Sequence, residues 1–307
     1  MKKTIFILCA GLFCACSHHT VDPIQEEPVE VRFTMSLEAE ILPFHPRTKS
    51  FPSAQFPDPS VRSDETEGET ETIPYKYMEY VVFAEGETEP VHSNKLDSNT
   101  EDFGIYVYDK LLPGKYHVCF IAHSSESITL TDDVCTFPEV GDTFFATEPI
   151  EVKPGQDITL GIVLHRIVSR VEFVAKDDVP AEVTNFRIVA TDIYNQFNVL
   201  TGEADATGLT KTITHTFTPE EKATGVKNSH AFYTLVPTDT KIDQVKLTAL
   251  SNAETIKQRE IPEVPIQKNR IIRYTGTLYT PGIQDATFEL DIYQDGQWEE
   301  SEIELPE

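Results

Sequence analysis

Near the N-terminus apolar and polar residues alternate strictly. Val31, Phe33, Met35 and Leu37 fall on one side, and Arg32, Thr34, Ser36 and Glu38 on the other. Successive side chains of a strand point to opposite faces, so this stretch predicts a half-buried β-strand. From residue 75 onward short apolar runs recur at close spacing. They predict strands over 77–84, 103–108, 115–123, 134–137, 144–152 and 157–164. A second series is predicted over 167–174, 183–192, 196–200, 210–218, 230–236, 241–251, 270–279, 286–293 and 298–305. Pro113-Gly114, Pro154-Gly155 and Asp295-Gly296 mark turns between them. A short helix-start signal over 219–224 is the one exception to the β pattern. Many brief strands with no helical alternation predict an all-β chain of two tandem β-sandwich domains.

Two segments interrupt this pattern. Residues 43–73 carry Pro43, Pro46, Pro52, Pro57 and Pro59, then the acidic run Asp64-Glu65-Thr66-Glu67-Gly68-Glu69-Thr70-Glu71. Proline cannot donate to a strand ladder, so a long irregular loop is expected there. At the extreme N-terminus, Lys2 and Lys3 precede an apolar run from Ile5 to Phe13 that is too short to span a bilayer. Ala15-Cys16 follows, and then the polar Ser17-His18-His19, which resembles a bacterial lipobox. This reading makes 1–15 a lipoprotein signal peptide, Cys16 the lipidated residue and 16–28 a tether. It leaves 29–164 as the first domain, with its loop 43–73, and 165–307 as the second. The expected address is the outer membrane or cell surface, held by the lipid anchor.

Composition narrows the chemistry. The 307 residues carry 51 Asp and Glu against 25 Lys and Arg, a net charge of −26, which repels a phosphate backbone and excludes a nucleic-acid partner. No Gly-rich phosphate loop, nucleophile elbow, His-Glu-x-x-His or Cys-x-x-Cys occurs. The stretch Asp97-Ser98-Asn99-Thr100-Glu101 starts like a calcium loop, but Asp102 stands where the turn needs Gly. No catalytic residue, metal site or cofactor is therefore expected, and the chain reads as a non-enzyme. Once the signal is removed and Cys16 acylated, Cys119 and Cys135 remain, either as a disulfide between neighbouring strands or as two buried thiols.

The junction between the two series is distinctive. An apolar strand runs through Leu164-His165-Arg166-Ile167-Val168-Ser169-Arg170-Val171 into a second apolar strand. With the lipobox, the isolated first strand followed by Arg47, and the Leu112-Pro113-Gly114-Lys115-Tyr116 turn, this resembles the fimbrillin superfamily, the pilins and fimbrial anchor lipoproteins of type V pili. The resemblance implies transthyretin-like sandwiches that meet near Leu164, Arg166 and Arg170, with the arginines paired to carboxylates at the interdomain surface. It implies a stalk, tip or anchor subunit of an adhesive fimbria, with other fimbrial subunits as partners and room for a host or bacterial surface ligand. It further implies a first strand removed by cleavage after Arg47, or alternatively Arg62. Val31, Phe33, Met35 and Leu37 would then be plug side chains, and a strand from another subunit, drawn from 286–293 or 298–305, would replace them. The alternative from another class is a surface glycan-binding β-sandwich lipoprotein. That role needs exposed aromatics on one sheet face, and Tyr75, Tyr77 and Tyr80 form a local cluster.

Overall fold

The computed structural model describes residues 27–38, 73–205, 208–238, 241–281 and 288–293, and among them there is no helix. Cys16, Arg47, Arg62 and the segment 298–305 lie outside the described residues. In chain order the first strands are β1 (Val29–Leu37), β2 (Tyr77–Ala84), β3 (Pro90–Asp97), β4 (Tyr106–Leu111), β5 (Gly114–His123), β6 (Thr129–Thr131), β7 (Val134–Thr136), β8 (Thr143–Val152) and β9 (Ile158–Arg166). After Ile167 come β10 (Val168–Ala175), β11 (Asn185–Ile193), β12 (Gln196–Asn198), β13 (Glu203–Ala204) and β14 (Leu209–Thr216). The last are β15 (Ser229–Leu235), β16 (Lys241–Ser251), β17 (Glu254–Pro265), β18 (Arg270–Gly276) and β19 (Glu289–Tyr293).

These strands build two sandwiches of one topology. In the first, the layer β9-β1-β4 faces the layer β3-β2-β5-β8, and the two join at a corner where Phe144 pairs with Arg166. In the second, β15-β10-β18-β19 faces β14-β11-β16-β17. Each sandwich places its first strand inside a layer, parallel to a late strand and antiparallel to a middle one: β1 between β9 and β4, β10 between β18 and β15. The remaining strands correspond in order, β3-β2-β5-β8 to β14-β11-β16-β17. The edge strand β19 has no counterpart in the first sandwich, and two short insertions break the correspondence, β6–β7 in the first and β12–β13 in the second. They pair with each other, Phe197 opposite Cys135, as a four-stranded sheet that spans the two halves.

That bridging sheet explains the burial pattern of the central strands. One face of β2 and β5 contributes Met78, Tyr80, Val82, Val118 and Phe120 to the first sandwich core. The opposite face contributes Val81, Phe83, Cys119 and Ile121 to a core continuous with Phe197, Val199 and the second sandwich. Strands covered on both faces lose their alternation and read as continuous apolar runs. Tyr75 and Tyr80 are accordingly core residues, and the aromatic cluster noted in the sequence is no exposed platform.

Several local expectations change. The strand predicted over 103–108 lies at Tyr106–Leu111, because Phe103 and its neighbours form turns. The helix-start signal over 219–224 produces turns only. Thr218 N–H donates to Glu221 Oε2 and Glu221 N–H to Thr218 Oγ1, the reciprocal bonds of a helix cap with no helix behind them. Cys119 and Cys135 are free and buried, and burial pushes the Cys119 thiol up to about 11.

A buried aromatic cluster in the second sandwich gives a pH prediction. His230 stacks on Phe186 with ring centroids 4.3 Å apart, and its Nε2 lies 2.7 Å from the Tyr279 hydroxyl. Burial, aided by nearby His215 and opposed by Glu221, pushes His230 down to about 3. The unfolded chain therefore binds a proton that the folded chain rejects. The stability this histidine contributes is complete above about pH 6.5 and is lost as pH falls from there toward 3. Urea midpoints measured across this window are expected to fall steadily with acidification, and His230→Phe should flatten the fall.

Candidate assembly site and interdomain joint

Strand β1 holds the first layer together. It pairs in parallel with β9 from Val31–Ile158 to Leu37–Leu164, and antiparallel with β4 from Val29–Leu111 to Thr34–Tyr106. Among the described residues β4 has no other strand partner, so its only backbone ladder runs through β1. Val29, Val31, Phe33 and Met35 point inward and are buried, while Leu37 at the end is half-buried. Phe33 is the centre of this row, its ring 5.1 Å from Phe120 and 5.6 Å from Tyr80. Without β1, the space between β4 and β9 would be an apolar slot with an unpaired ladder on each side.

The far end of the chain is partly accounted for. Residues Glu289–Tyr293 of β19 are already paired antiparallel with β18, Ile272 opposite Ile292, within their own layer. Phe288 packs beside Gly276, where an added Cβ would come within 2.7 Å of its ring. In this state 289–293 closes the second sandwich, which is the alternative to its being a free donor.

The joint between the sandwiches is built from the junction motif. Leu164 is buried in the first core. Arg166 donates from Nε to Asp142 Oδ1 at 2.8 Å and from Nη2 to Asp142 Oδ2 at 3.0 Å, a two-pronged pair. Its Nη1 reaches Asn269 Oδ1 at 2.9 Å, tying the turn before β18 to the corner of the first sandwich. Arg170 donates to Glu172 Oε1 at 3.2 Å, and Arg273 to the other oxygen of Glu172 at 2.6 Å. Asp142, Asn269, Glu172 and Arg273 carry no mark in the sequence that singles them out. Asp142 lies 24 positions from Arg166, Asn269 lies 103 from it, and Arg273 lies 101 from Glu172.

Among the described residues no group of three or more His, Cys, Asp or Glu is placed to hold a metal ion. The stretch from Asp97 makes a plain turn, with Asn99 N–H donating to Asp97 Oδ1.

A family model described as a family of unknown function, DUF6562, matches residues 106–305. The chain belongs to this family. The DUF6562 match opens at the first residue of β4, so β1, β2 and β3 precede it. No curated protein matches the sequence. Among solved structures, a candidate adhesin from Bacteroides ovatus superposes with a TM-score of 0.50 at 11% identity, over 88% of this chain and 94% of its own. A fimbrial anchor protein from Porphyromonas gingivalis gives 0.48 at 12% identity, over 87% and 98%. A fimbrial assembly protein from Parabacteroides distasonis gives 0.44 at 10%, over 87% and 95%. At these identities the likeness is one of fold. The Bacteroides ovatus structure shares the fold of this DUF6562 member.

Proposed function

We propose that the chain is a non-enzymatic structural subunit of an adhesive surface fimbria, exported as a lipoprotein through Cys16 and carried at the outer membrane. Its partners are other subunits, and they join by adding a strand in the place that β1 occupies. The observation that carries this reading is the position of β1. It sits between β9 and β4, fills the core with Val31, Phe33 and Met35, and provides the only described ladder for β4. Its counterpart β10 is tied to β9 through the single residue Ile167, whereas β1 is followed by the long Pro-rich stretch that contains Arg47 and Arg62. A strand with that attachment can be cut loose without cutting the rest of the sandwich. Strand addition then supplies a backbone ladder on two sides and pockets for alternate side chains. A structure of the same fold, the Bacteroides ovatus protein, is itself described as an adhesin candidate.

Arg-specific proteolysis of the purified protein tests the proposal. Cleavage at Arg47 or Arg62 followed by detergent-stable polymer ladders is the expected result. Cleavage that leaves a folded monomer and no ladder would remove the stalk role and leave that of an anchor.

A further inference from the structure

Strand β1 fills its own slot, so its side chains show what chemistry that slot selects. The ladders fix direction first: an occupant that satisfies both must run parallel to β9 and antiparallel to β4. On the inner side the largest side chain is Phe33. It lies between Val107 and Leu160 in its own layer and against Tyr80 and Phe120 of the facing layer, edge-on to Phe120 at 67°. Tyr80 and Phe120 are themselves buried. A leucine in the Phe33 place would forfeit the ring contacts and leave a void.

The outer side adds a second selective feature. Tyr106 and Tyr108 stand on β4 with ring centroids 5.8 Å apart, and the Arg32 guanidinium lies 3.9 Å from the first and 5.6 Å from the second. A cation is attracted to the face of an aromatic ring, whereas a carboxylate there is repelled. The buried Nε of Arg32 has no hydrogen-bond partner among the described residues, so the rings are what hold that end of the side chain. The other outer pair, Glu30 with Lys110 at 3.0 Å, is exposed on both sides and adds little. Arg32 and Phe33 are adjacent, so one dipeptide presents the cation outward and the ring inward.

The late segments of this chain lack such a dipeptide. From Tyr274 to Glu307 there is no Lys or Arg. With Phe288 in the Phe33 place, Thr287 would face the two tyrosines; with Leu290, Ile292 or Ile303 there, Glu289, Asp291 or Glu302 would do so. Trp298 would bring Gln297 against them and turn Glu300 and Glu302 inward, where an unpaired carboxylate is costly. The other basic–aromatic pairs, Lys76-Tyr77, Lys115-Tyr116 and Arg273-Tyr274, lie in or beside β2, β5 and β18, strands flanked on both sides within their sheets.

We propose that the slot selects a strand from a different subunit, one that carries Lys or Arg directly before an aromatic residue. This rests on strand addition as proposed above and adds the chemistry of the partner. The aromatic residue takes the Phe33 place, and the cation lies against Tyr106 and Tyr108. A second copy of this chain could offer the dipeptide only by surrendering its own β1, which would empty its own slot. The chain is therefore an acceptor in a mixed assembly.

Peptide exchange tests it. The whole protein, cut after Arg47 or Arg62, is offered fluorescent peptides in competition with its own β1 in mild urea, and anisotropy gives their relative affinities. The peptide of residues 28–38 should bind, and its Phe33→Leu form about tenfold more weakly. Its Arg32→Gln form should also lose about tenfold, and that loss should vanish on a Tyr106→Leu chain. Peptides of 286–293 and 298–305 should bind about tenfold or more below 28–38, and Thr287→Arg should recover part of the deficit in the first. Equal binding of the parent and Arg32→Gln peptides, or a late-segment peptide binding as tightly as 28–38, would overturn the inference and leave strand addition standing. Uptake of no peptide at all would overturn strand addition, and this inference with it.

Discussion

Truncating Phe33 to Ala is expected to lower the unfolding free energy by about 3–5 kcal/mol, the range for deleting a buried aromatic ring. Phe33 is 0% exposed and its ring is wedged between Tyr80 and Phe120, so neighbours cannot easily close the space. The loss also spreads beyond the cavity, since β4 depends on β1 for its ladder. Equilibrium urea unfolding measures it, with Glu30→Ala on the exposed face of the same strand as the control, expected within about 0.5 kcal/mol of wild type. A loss below about 1 kcal/mol for Phe33→Ala would show that β1 is a loosely held appendage. The strand would then be no plug.

The second large effect is expected at the joint. Asp142→Ala takes the two-pronged carboxylate away from the Arg166 guanidinium, which is 2% exposed and keeps its charge. Removing one partner of a buried ion pair typically costs about 3–5 kcal/mol. The cost comes mainly from the charge left buried, not from the pair's net attraction. The double change Asp142→Ala with Arg166→Met should therefore be less destabilised than Asp142→Ala alone. Urea midpoints of the two variants decide the matter. If the double variant is the worse of the two, the pair contributes more than charge neutralisation, and the buried charge is not what makes Asp142→Ala costly.

The sequence disclosed the strands that have one covered face or a clear apolar run. Val31 to Leu37 shows the alternation of a half-buried strand, and β16 matches the predicted 241–251 at both ends. Two edge strands escaped, although the edge strands β14 and β15 were predicted within two residues at each end. β3, with the sequence PVHSNKLD, is exposed along most of its length and lacks an apolar row. β17 is rich in charge and holds Pro262 and Pro265, residues a free strand edge can accept. The strand predicted over 103–108 already holds Tyr106 and Tyr108 on either side of Val107, but it begins and ends three residues early. Tyr75 and Tyr80 look available in sequence because nothing local reveals that both turn into the core of the first sandwich. The arginines of the junction were visible, whereas their acceptors were not: Asp142 is one of 51 acids, and only folding brings it to Arg166.

The parallel pairing of β1 with β9 has a mechanical consequence. A pull on the N-terminal end of β1 is resisted at the other end of β9, where the chain passes through Ile167 into the second sandwich. Two parallel neighbours drawn in opposite directions along their length are loaded in shear, and all seven residue pairs from Val31 to Leu37 share the force at once. Antiparallel neighbours pulled from the same end would instead peel apart one bond at a time. If the proposed lipid anchor holds it by the N-terminus, the protein meets tension with a parallel ladder loaded along its whole length, and its lifetime under load is set by the rate of rupturing that ladder as a unit.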